Sequence, residues 1–375
     1  MAKNKRANGE GGITYDKSRD SYRASITTPE GKRIFKRFKT EQEAVVWKTS
    51  QINSIHKGTF VVPSKVTVGE WTIDWLTTYK KGTIAQSTYE LYFYLAAHFD
   101  SISGITLQEL QPAHVQKLYT ELSEKTKLSQ HTIHKVHKLL KNMISKAFQL
   151  DMINKNIMLL VTAPKFDKKD IEIFTASEIE LILKTCHEHP VLKNRYPAIL
   201  LAVTTGLRLG EVLGLRWCDV NFISNEIHVR KGLSKTKAHG LVLGPLKTKS
   251  SIRKISITPD VAKVLKELKS KTVNIDIKQE KLCFVTRNET PILPRTFERS
   301  WSDLLKKANV PYKNFHVLRH THATELLANG IPIIEVSRRL GHSKVSHTLE
   351  LYGHAIPNYD NKIAEKVQEL YAVPK

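Results

Sequence analysis

His316, Arg319, His342 and Tyr352 stand close together in the segments NFHVLRHTHATELLANG and VSRRLGHSKVSHTLELYGHA, and Arg208 stands far upstream in TTGLRLGEVLGL. These side chains can act together on a phosphodiester. Breaking one without water or metal needs a nucleophile, positive charge on the non-bridging oxygens, an acid for the departing oxygen, and a group to take the nucleophile's proton. Arg208 and Arg319 suit the second task, because a guanidinium is permanently charged and grips phosphate oxygens through a planar fork. Donors preorganised in this way are typically worth about 3 to 4 kcal/mol each in rate. Tyr352 suits the first task, since a phenol with a pKa of about 10 becomes phenolate with modest help from nearby cations. Tyr359 is an alternative nucleophile a few residues on. The leaving oxygen requires a proton donor, for which Lys247 in PLKTKSS and its neighbour Lys249 both have the right character. His316 and His342 can hold phosphate or shuttle the tyrosine proton. A covalent intermediate would conserve the energy of the broken bond, so this chemistry calls for neither ATP nor a metal. The chain has no G-x-x-x-x-G-K-[ST] loop and no clustered carboxylates for two metals.

Each of these residues has a plainer explanation when taken alone. An arginine on a helix is usually a surface charge, a histidine near an apolar face is usually a satisfied core group, and a tyrosine often only packs. The rest of the chain shifts that balance. Its formal charge is +23 across 375 residues, with 41% hydrophobic residues to build cores. Self-repulsion on that scale opposes folding, so the excess points to a polyanionic partner, with nucleic acid ahead of an anionic membrane surface. No long uncharged apolar run or basic helix with a Leu/Trp face supports the membrane. Cysteine occurs three times without metal-type spacing, which fits a reducing compartment. MAKNKRANGEGG is basic but lacks the apolar core of a secretion signal, so the expected location is the cytoplasm.

The elements that must position the reactive groups follow from pattern. GGITYDKSRDSYRASI and KRIFKRFK alternate about a turn at Pro29–Gly31, predicting a small β module over residues 1–60. In it Ile34, Phe35 and Phe38 pack inward, and Arg33, Lys36, Arg37 and Lys39 face solvent and DNA. Thr40 to Glu43 is a capping box opening a helix that runs through Ile55 and ends at Gly58. A helical domain is expected over 65–163, with capping boxes at Thr67–Glu70 and Ser87–Glu90, Pro112 in a first turn, and Ser129 as the cap of a long helix. That helix sets Ile133, Val136, Leu140, Met143 or Ile144, and Ala147 on one stripe. His131, His134 and His137 recur at steps that drift around it and lack a carboxylate or cysteine companion. We therefore read them, with Lys135, Lys138 and Lys141, as a basic face against phosphates rather than a metal site. A last domain over 170–375 opens at the Thr175–Glu178 capping box. It continues through the apolar helix PAILLAVTTG, a short helix at Arg208, and strands EIHVRKGLSKT, LVLGPLKTK and IRKISIT. The resulting fold class is multidomain: a β-sheet-plus-helix N-terminal module, an all-α domain, and a mainly α (α+β) domain with a three-stranded antiparallel sheet.

Order and spacing of the reactive residues resemble the tyrosine recombinases, in particular phage and integrative-element integrases. TTGLRLGEVLGLRWCDV resembles the family's first box, which matches its first catalytic arginine to Arg208 and its acidic companion to Glu211. The family's β-hairpin lysine matches Lys247, its H-x-L-R-H box matches His316 to His320, and its L-G-H element matches Leu340 to His342. Its T-x-x-x-Y-x-H element matches Thr348 to His354, with Tyr352 as nucleophile. The resemblance implies 3′-phosphotyrosine chemistry through a Holliday junction, carried out by a homotetramer on double-stranded attachment sites. It also implies an arm-type DNA-binding role for 1–60, an AP2-like module, and a core-binding, SAM-like role for 65–163. Beyond Pro357 it implies a terminal helix, with Ile363, Val367 and Leu370 on one side, that is exchanged between subunits. An excisionase or a host DNA-bending protein is the implied accessory partner. Two rival readings are a type IB topoisomerase, which relaxes supercoils by related chemistry, and a DNA-binding regulator that cuts nothing.

Overall fold

Near-regular alternation in the first segments builds an antiparallel sheet of β1 (Gly12–Asp16), β2 (Ser21–Thr27) and β3 (Arg33–Phe38), in that order. The computed structural model describes residues 11–167, 171–246, 248–271 and 281–356, together with Glu365, Val367, Gln368, Leu370 and Tyr371. Ala24 and Ile26 are fully covered and lie on the face of β2 that Ile34 and Lys36 share through the pairs Ala24↔Lys36 and Ile26↔Ile34. The expectation for Phe35 fails. It is 46% exposed, because the period of two puts it opposite Ile34 and Phe38, beside Arg33 and Arg37. There the Arg23 guanidinium stacks on its ring at 3.8 Å. Arg33, Lys36, Arg37 and Lys39 are all exposed, but Lys36 belongs to the other face of the strand, with its ammonium 5.6 Å from the Phe38 ring. Helix α1 (Glu41–His56) starts at Thr40, whose hydroxyl accepts the Glu43 N–H at 3.3 Å while the Glu43 carboxylate accepts the Thr40 N–H.

Five further helices follow in the same half of the chain. They are α2 (Val68–Asp74), α3 (Gln86–Ala96), α4 (Asp100–Ser103), α5 (Pro112–Lys125) and α6 (Gln130–Gln149), with a π-helical turn at Trp75–Lys80. The Thr67–Glu70 box forms, but Ser87 caps nothing. Helix α3 begins two residues earlier than a Ser87 cap would allow, with Ala85 as its cap, and Glu90 instead receives the Gln86 side-chain amide at 3.2 Å. On α6 the side chains of Ile133, Val136, Leu140, Met143, Ile144 and Ala147 are completely buried. Burial of each large aliphatic is worth roughly 1.5 to 3 kcal/mol, enough to hold this helix against the Trp71 and Trp75 side chains. Lys135, Lys138 and Lys141 stay exposed. His137 does not join them. It turns into the core, where its Nδ1 lies 2.9 Å from the Tyr119 hydroxyl. His134 instead bonds the Pro164 carbonyl at 2.9 Å, and His131 packs its ring edge-on against Phe166.

The chain divides into two compact units, 1–167 and 168–375. In the second, α7 (Ala176–Glu188) starts at the Thr175 capping box. The apolar α8 (Tyr196–Thr205) ends at Gly206 with φ 66°, a left-handed position where a Cβ would lie 2.7 Å from the His322 ring. Next comes α9 (Leu209–Leu213), and then the strands depart from expectation. Glu226–Thr236 is not one strand but two, β5 (Glu226–Val229) and β6 (Lys231–Thr236), broken at Arg230, whose guanidinium turns aside to Asp219 at 3.0 Å. β5 lies between β4 (Val220–Asn221) and β8 (Arg253–Ser256) in an antiparallel three-stranded sheet, while β6 and β7 (Gly240–Pro245) form a separate hairpin. The hairpin is drawn away by α9. A Cβ at Gly210 would sit 2.7 Å from the Leu233 carbonyl oxygen, and one at Gly214 2.8 Å from the Leu233 nitrogen, so helix and strand backbones touch. Helices α10 (Pro259–Lys271), α11 (Pro294–Lys307), α12 (Val317–Ala328), α13 (Ile333–Leu340) and α14 (Val345–Tyr352) complete the described part of this unit.

Candidate active site

Arg208 occupies the cap position of α9 with extended backbone, a position imposed by the Gly206 reversal and by Leu207 anchored in the core. Its N–H donates to Glu211 Oε2 at 3.1 Å and its guanidinium to Oε1 at 2.8 Å. Glu211, 4% exposed, also receives the Arg253 guanidinium at 3.0 Å. Burial pushes the Glu211 carboxyl up, but Arg253 and Arg208 outweigh it and hold the group below the ordinary carboxylate range. Arg253 is itself fixed by donating to the Arg339 carbonyl at 2.6 Å and the Ser251 carbonyl at 2.9 Å. One buried carboxylate therefore aims Arg208, and a second arginine stabilises that carboxylate.

Helix α12 supplies the next groups from a single turn. His316 is its N-terminal cap residue, Arg319 lies three residues on and His320 four, so all three share a face. Arg319 is 1% exposed and donates to the Gly206 carbonyl at 2.9 Å and the Leu340 carbonyl at 2.8 Å. These bonds tie the ends of α8 and α13 to the arginine and orient its remaining donors. Burial and the neighbouring Arg208 pull its pKa down to about 9, which leaves it charged at neutral pH.

Gly341, left-handed at φ 73°, ends α13 and turns the chain at His342. His342 Nδ1 lies 2.8 Å from the hydroxyl of the fully buried Thr348. Burial first, then Arg319, lowers His342 to about 3, and His316 is lowered to about 4 by burial, His320 and Arg319 in that order. Both are neutral at pH 7. Tyr352 ends α14, is 1% exposed among Ala323, Leu327, Val336 and Leu340, and places its hydroxyl 2.6 Å from His320 Nδ1. Here the sequence argument about acidity is overturned in direction. Burial outweighs Arg319 and Arg208 and pushes the resting phenol up to about 12.

The fold thus gathers Arg208, Glu211, His316, Arg319, His342 and Tyr352 around one centre. It adds Arg253, which no motif contains, and His320, which closes the H-x-L-R-H box without an assigned role. His320 had a signal, its helical spacing from His316. Arg253 had none, because its contact with Glu211 spans 42 residues. Lys247, Tyr359, Pro357, Ile363 and the His354 side chain lie outside the described residues; Lys249 is exposed at the start of a short turn, and Val367 and Leu370 are exposed. Arg33, Lys36, Arg37, Lys39, Lys135, Lys138 and Lys141 all belong to the other unit.

Residues 172–358 match the phage integrase family, and residues 72–165 match the phage integrase SAM-like domain. A XerC-like tyrosine recombinase of Caldanaerobacter subterraneus subsp. tengcongensis is 29% identical over 384 residues, covering 94% of this chain and 97% of its own. The ICEBs1 integrase of Bacillus subtilis is 27% identical over 250 residues, covering 65% of this chain and 67% of its own. The structure of the Tn1549 transposon integrase in complex with a circular intermediate DNA superposes with a TM-score of 0.70 at 23% identity, covering 80% of this chain and 98% of that one. The chain belongs to the phage integrase family of tyrosine recombinases and has its mostly helical fold with small antiparallel sheets. It is a site-specific recombinase of the integrase type.

Proposed function

We propose that this recombinase integrates a phage or conjugative element into a chromosome, and excises it, by cutting and rejoining double-stranded attachment sites through a 3′-phosphotyrosine bond. The observation that carries the reading is the placement of the Tyr352 hydroxyl beside two arginines whose orientations are fixed, Arg319 by backbone carbonyls and Arg208 by Glu211. In this reading Arg208 and Arg319 hold the non-bridging oxygens and Tyr352 attacks phosphorus. His316 and His342, neutral, donate hydrogen bonds to the phosphate, and Glu211 keeps Arg208 in place. Lys247 protonates the departing 5′-oxygen, with Lys249 as its alternative. Because the phosphotyrosine bond conserves the energy of the phosphodiester, neither ATP nor a metal is required.

Joining two duplexes breaks four strands, and one chain offers one nucleophile, so the working assembly is a homotetramer on DNA. The proposed division of labour has 65–163 on the core site, with Lys135, Lys138 and Lys141 against phosphates, and 1–60 on a separate arm-type sequence through Arg33, Lys36, Arg37 and Lys39. In 170–375 the segment after Tyr352 docks on a neighbouring subunit. An excisionase or a host DNA-bending protein sets direction, and the reaction takes place in the bacterial cytoplasm, on the nucleoid.

The test is covalent capture on nicked suicide substrates carrying candidate attachment sequences. Wild type forms a protein–DNA adduct at the crossover position. Tyr352→Phe binds the same DNA and forms none. An adduct that persists in that variant transfers the nucleophile to Tyr359. Relaxation of supercoiled plasmids lacking any attachment site would replace the integrase reading with a topoisomerase.

A further inference from the structure

We propose that His320 is the general base that takes the Tyr352 proton during cleavage and returns it during rejoining. This rests on the reading of Tyr352 as the nucleophile. The Tyr352 hydroxyl lies 2.6 Å from His320 Nδ1, within hydrogen-bond reach. Tyr352 is 1% exposed, so the resting hydroxyl has a protein group rather than bulk water beside it. The other histidines that motif reading offered for this task are placed differently. His342 commits its Nδ1 to Thr348, and His316 is set with its ring edge-on to His320 at 4.8 Å.

The electrostatics agree with the geometry. Burial, then Arg319, holds His320 below its ordinary value, so the ring is neutral at pH 7. With a neutral imidazole the phenol O–H donates and Nδ1 accepts, the tautomer that keeps the ring proton on Nε2. The resting phenol, pushed up to about 12, holds its proton more tightly than His320 would. The proton therefore moves only as the bond to phosphorus forms and the phenol oxygen loses its basicity. An incoming phosphodiester adds negative charge beside His320 and raises its affinity for the proton at that moment.

The step balances. Tyr352 Oη attacks phosphorus, the Oη–P bond forms and the P–O5′ bond breaks. The phenol proton passes to His320 Nδ1, and the lysine acid protonates O5′. In rejoining, a 5′-hydroxyl attacks the phosphotyrosine and gives its proton to that lysine, while His320 returns its own to the departing Tyr352 oxygen. Because the cleaved strand and the strand that is rejoined can differ, one imidazole serves both halves of a strand exchange.

The experiment is single-turnover cleavage of a nicked core site by the full-length protein. His320→Asn places an amide oxygen near the Nδ1 position, so it keeps an acceptor and removes the base; His320→Ala removes both and introduces no new polar group. Both variants are expected to bind the DNA as wild type does and to form adduct about 10²- to 10⁴-fold more slowly, the range for loss of a general base. A second substrate carries sulfur at the bridging 5′ position, a leaving group that needs no proton. It should restore cleavage to Lys247→Ala or Lys249→Ala, whichever removes the acid, and leave both His320 variants slow. Cleavage by His320→Asn at the wild-type rate would show that the imidazole only packs. Rescue of the His320 variants by the bridging sulfur would make His320 an acid. Either outcome overturns the proposal, and a folding failure of one variant leaves the other to decide it. An adduct that survives Tyr352→Phe fails at the earlier step, the identity of the nucleophile, and is read separately.

Discussion

Arginines around Tyr352 and lysines on α6 carry the same charge in opposite settings. Arg319 and Arg253 are almost wholly covered, each tied to backbone carbonyls, and Arg253 and Arg208 both donate to the same carboxylate. Lys135, Lys138 and Lys141 stand exposed, as do Arg33, Lys36, Arg37 and Lys39 in the sheet module. A covered guanidinium with fixed partners loses rotamer freedom at folding and presents its remaining donors in one direction, which suits charge that develops at one phosphorus. An exposed lysine keeps its freedom and its water, so it attracts a polyanion without fixing it, and salt weakens it. Under the proposed function the two kinds of charge would divide affinity from chemistry, and perturbing each should leave different signatures.

The largest effect is expected on the covered side. Arg319→Ala should slow single-turnover cleavage by about 10²- to 10³-fold and also lower the melting temperature, because the Gly206 and Leu340 carbonyls lose their donors. An Ala variant with unchanged cleavage would dissolve the distinction between the two kinds of charge.

Glu211→Gln comes next and reads mainly as stability. Removing one partner from a buried ion pair typically costs about 3 to 5 kcal/mol. The carboxyl is held below its unfolded value, so its contribution is fully present above an unfolded pKa of about 4.3 and is lost as pH falls through the lower folded value. Thermal melts in acid should therefore show wild type converging on the variant as pH drops below about 4.3, with the gap restored on neutralisation. A gap that stays constant with pH would mean that Glu211 is not the ion that stabilises Arg208 and Arg253.

The smallest effect belongs to the exposed side. Replacing Lys135, Lys138 and Lys141 by serine should leave melting temperature and cleavage of bound substrate unchanged. It should flatten the salt dependence of core-site binding by about 0.9 in log–log slope for each phosphate contact removed. An unchanged slope would take α6 out of the DNA interface.

Local pattern made much of the fold legible. The Thr40, Thr67 and Thr175 capping boxes, the Ser129 cap and the buried stripe of α6 all form where the pattern puts them, because each depends on residues within a turn or two of one another. Expectations failed where a neighbour distant in sequence intervened. β5 pairs with β8 across an excursion that holds the β6–β7 hairpin, and the break at Arg230 answers to Asp219 and to α9. Phe35 is exposed for a local reason: strand side chains alternate, so it shares a face with Arg33 and Arg37 and not with Ile34 and Phe38. Ser87 fails to cap because α3 starts two residues earlier, leaving Ser87 inside its first turn.

The candidate set is named by sequence alone, since residue identity and motif order pick out Arg208, His316, Arg319, His342 and Tyr352 without coordinates. His320 stands in the same box, one turn of helix from His316, but nothing in the sequence gave it a role. Tertiary packing decided how the set behaves. Whether a phenol near two arginines is acidic or basic depends on how many water-excluding atoms surround it, and desolvation by residues from α12, α13 and α14 is a property of the packed core, not of any segment. The same packing set His320, rather than His316 or His342, against the Tyr352 hydroxyl.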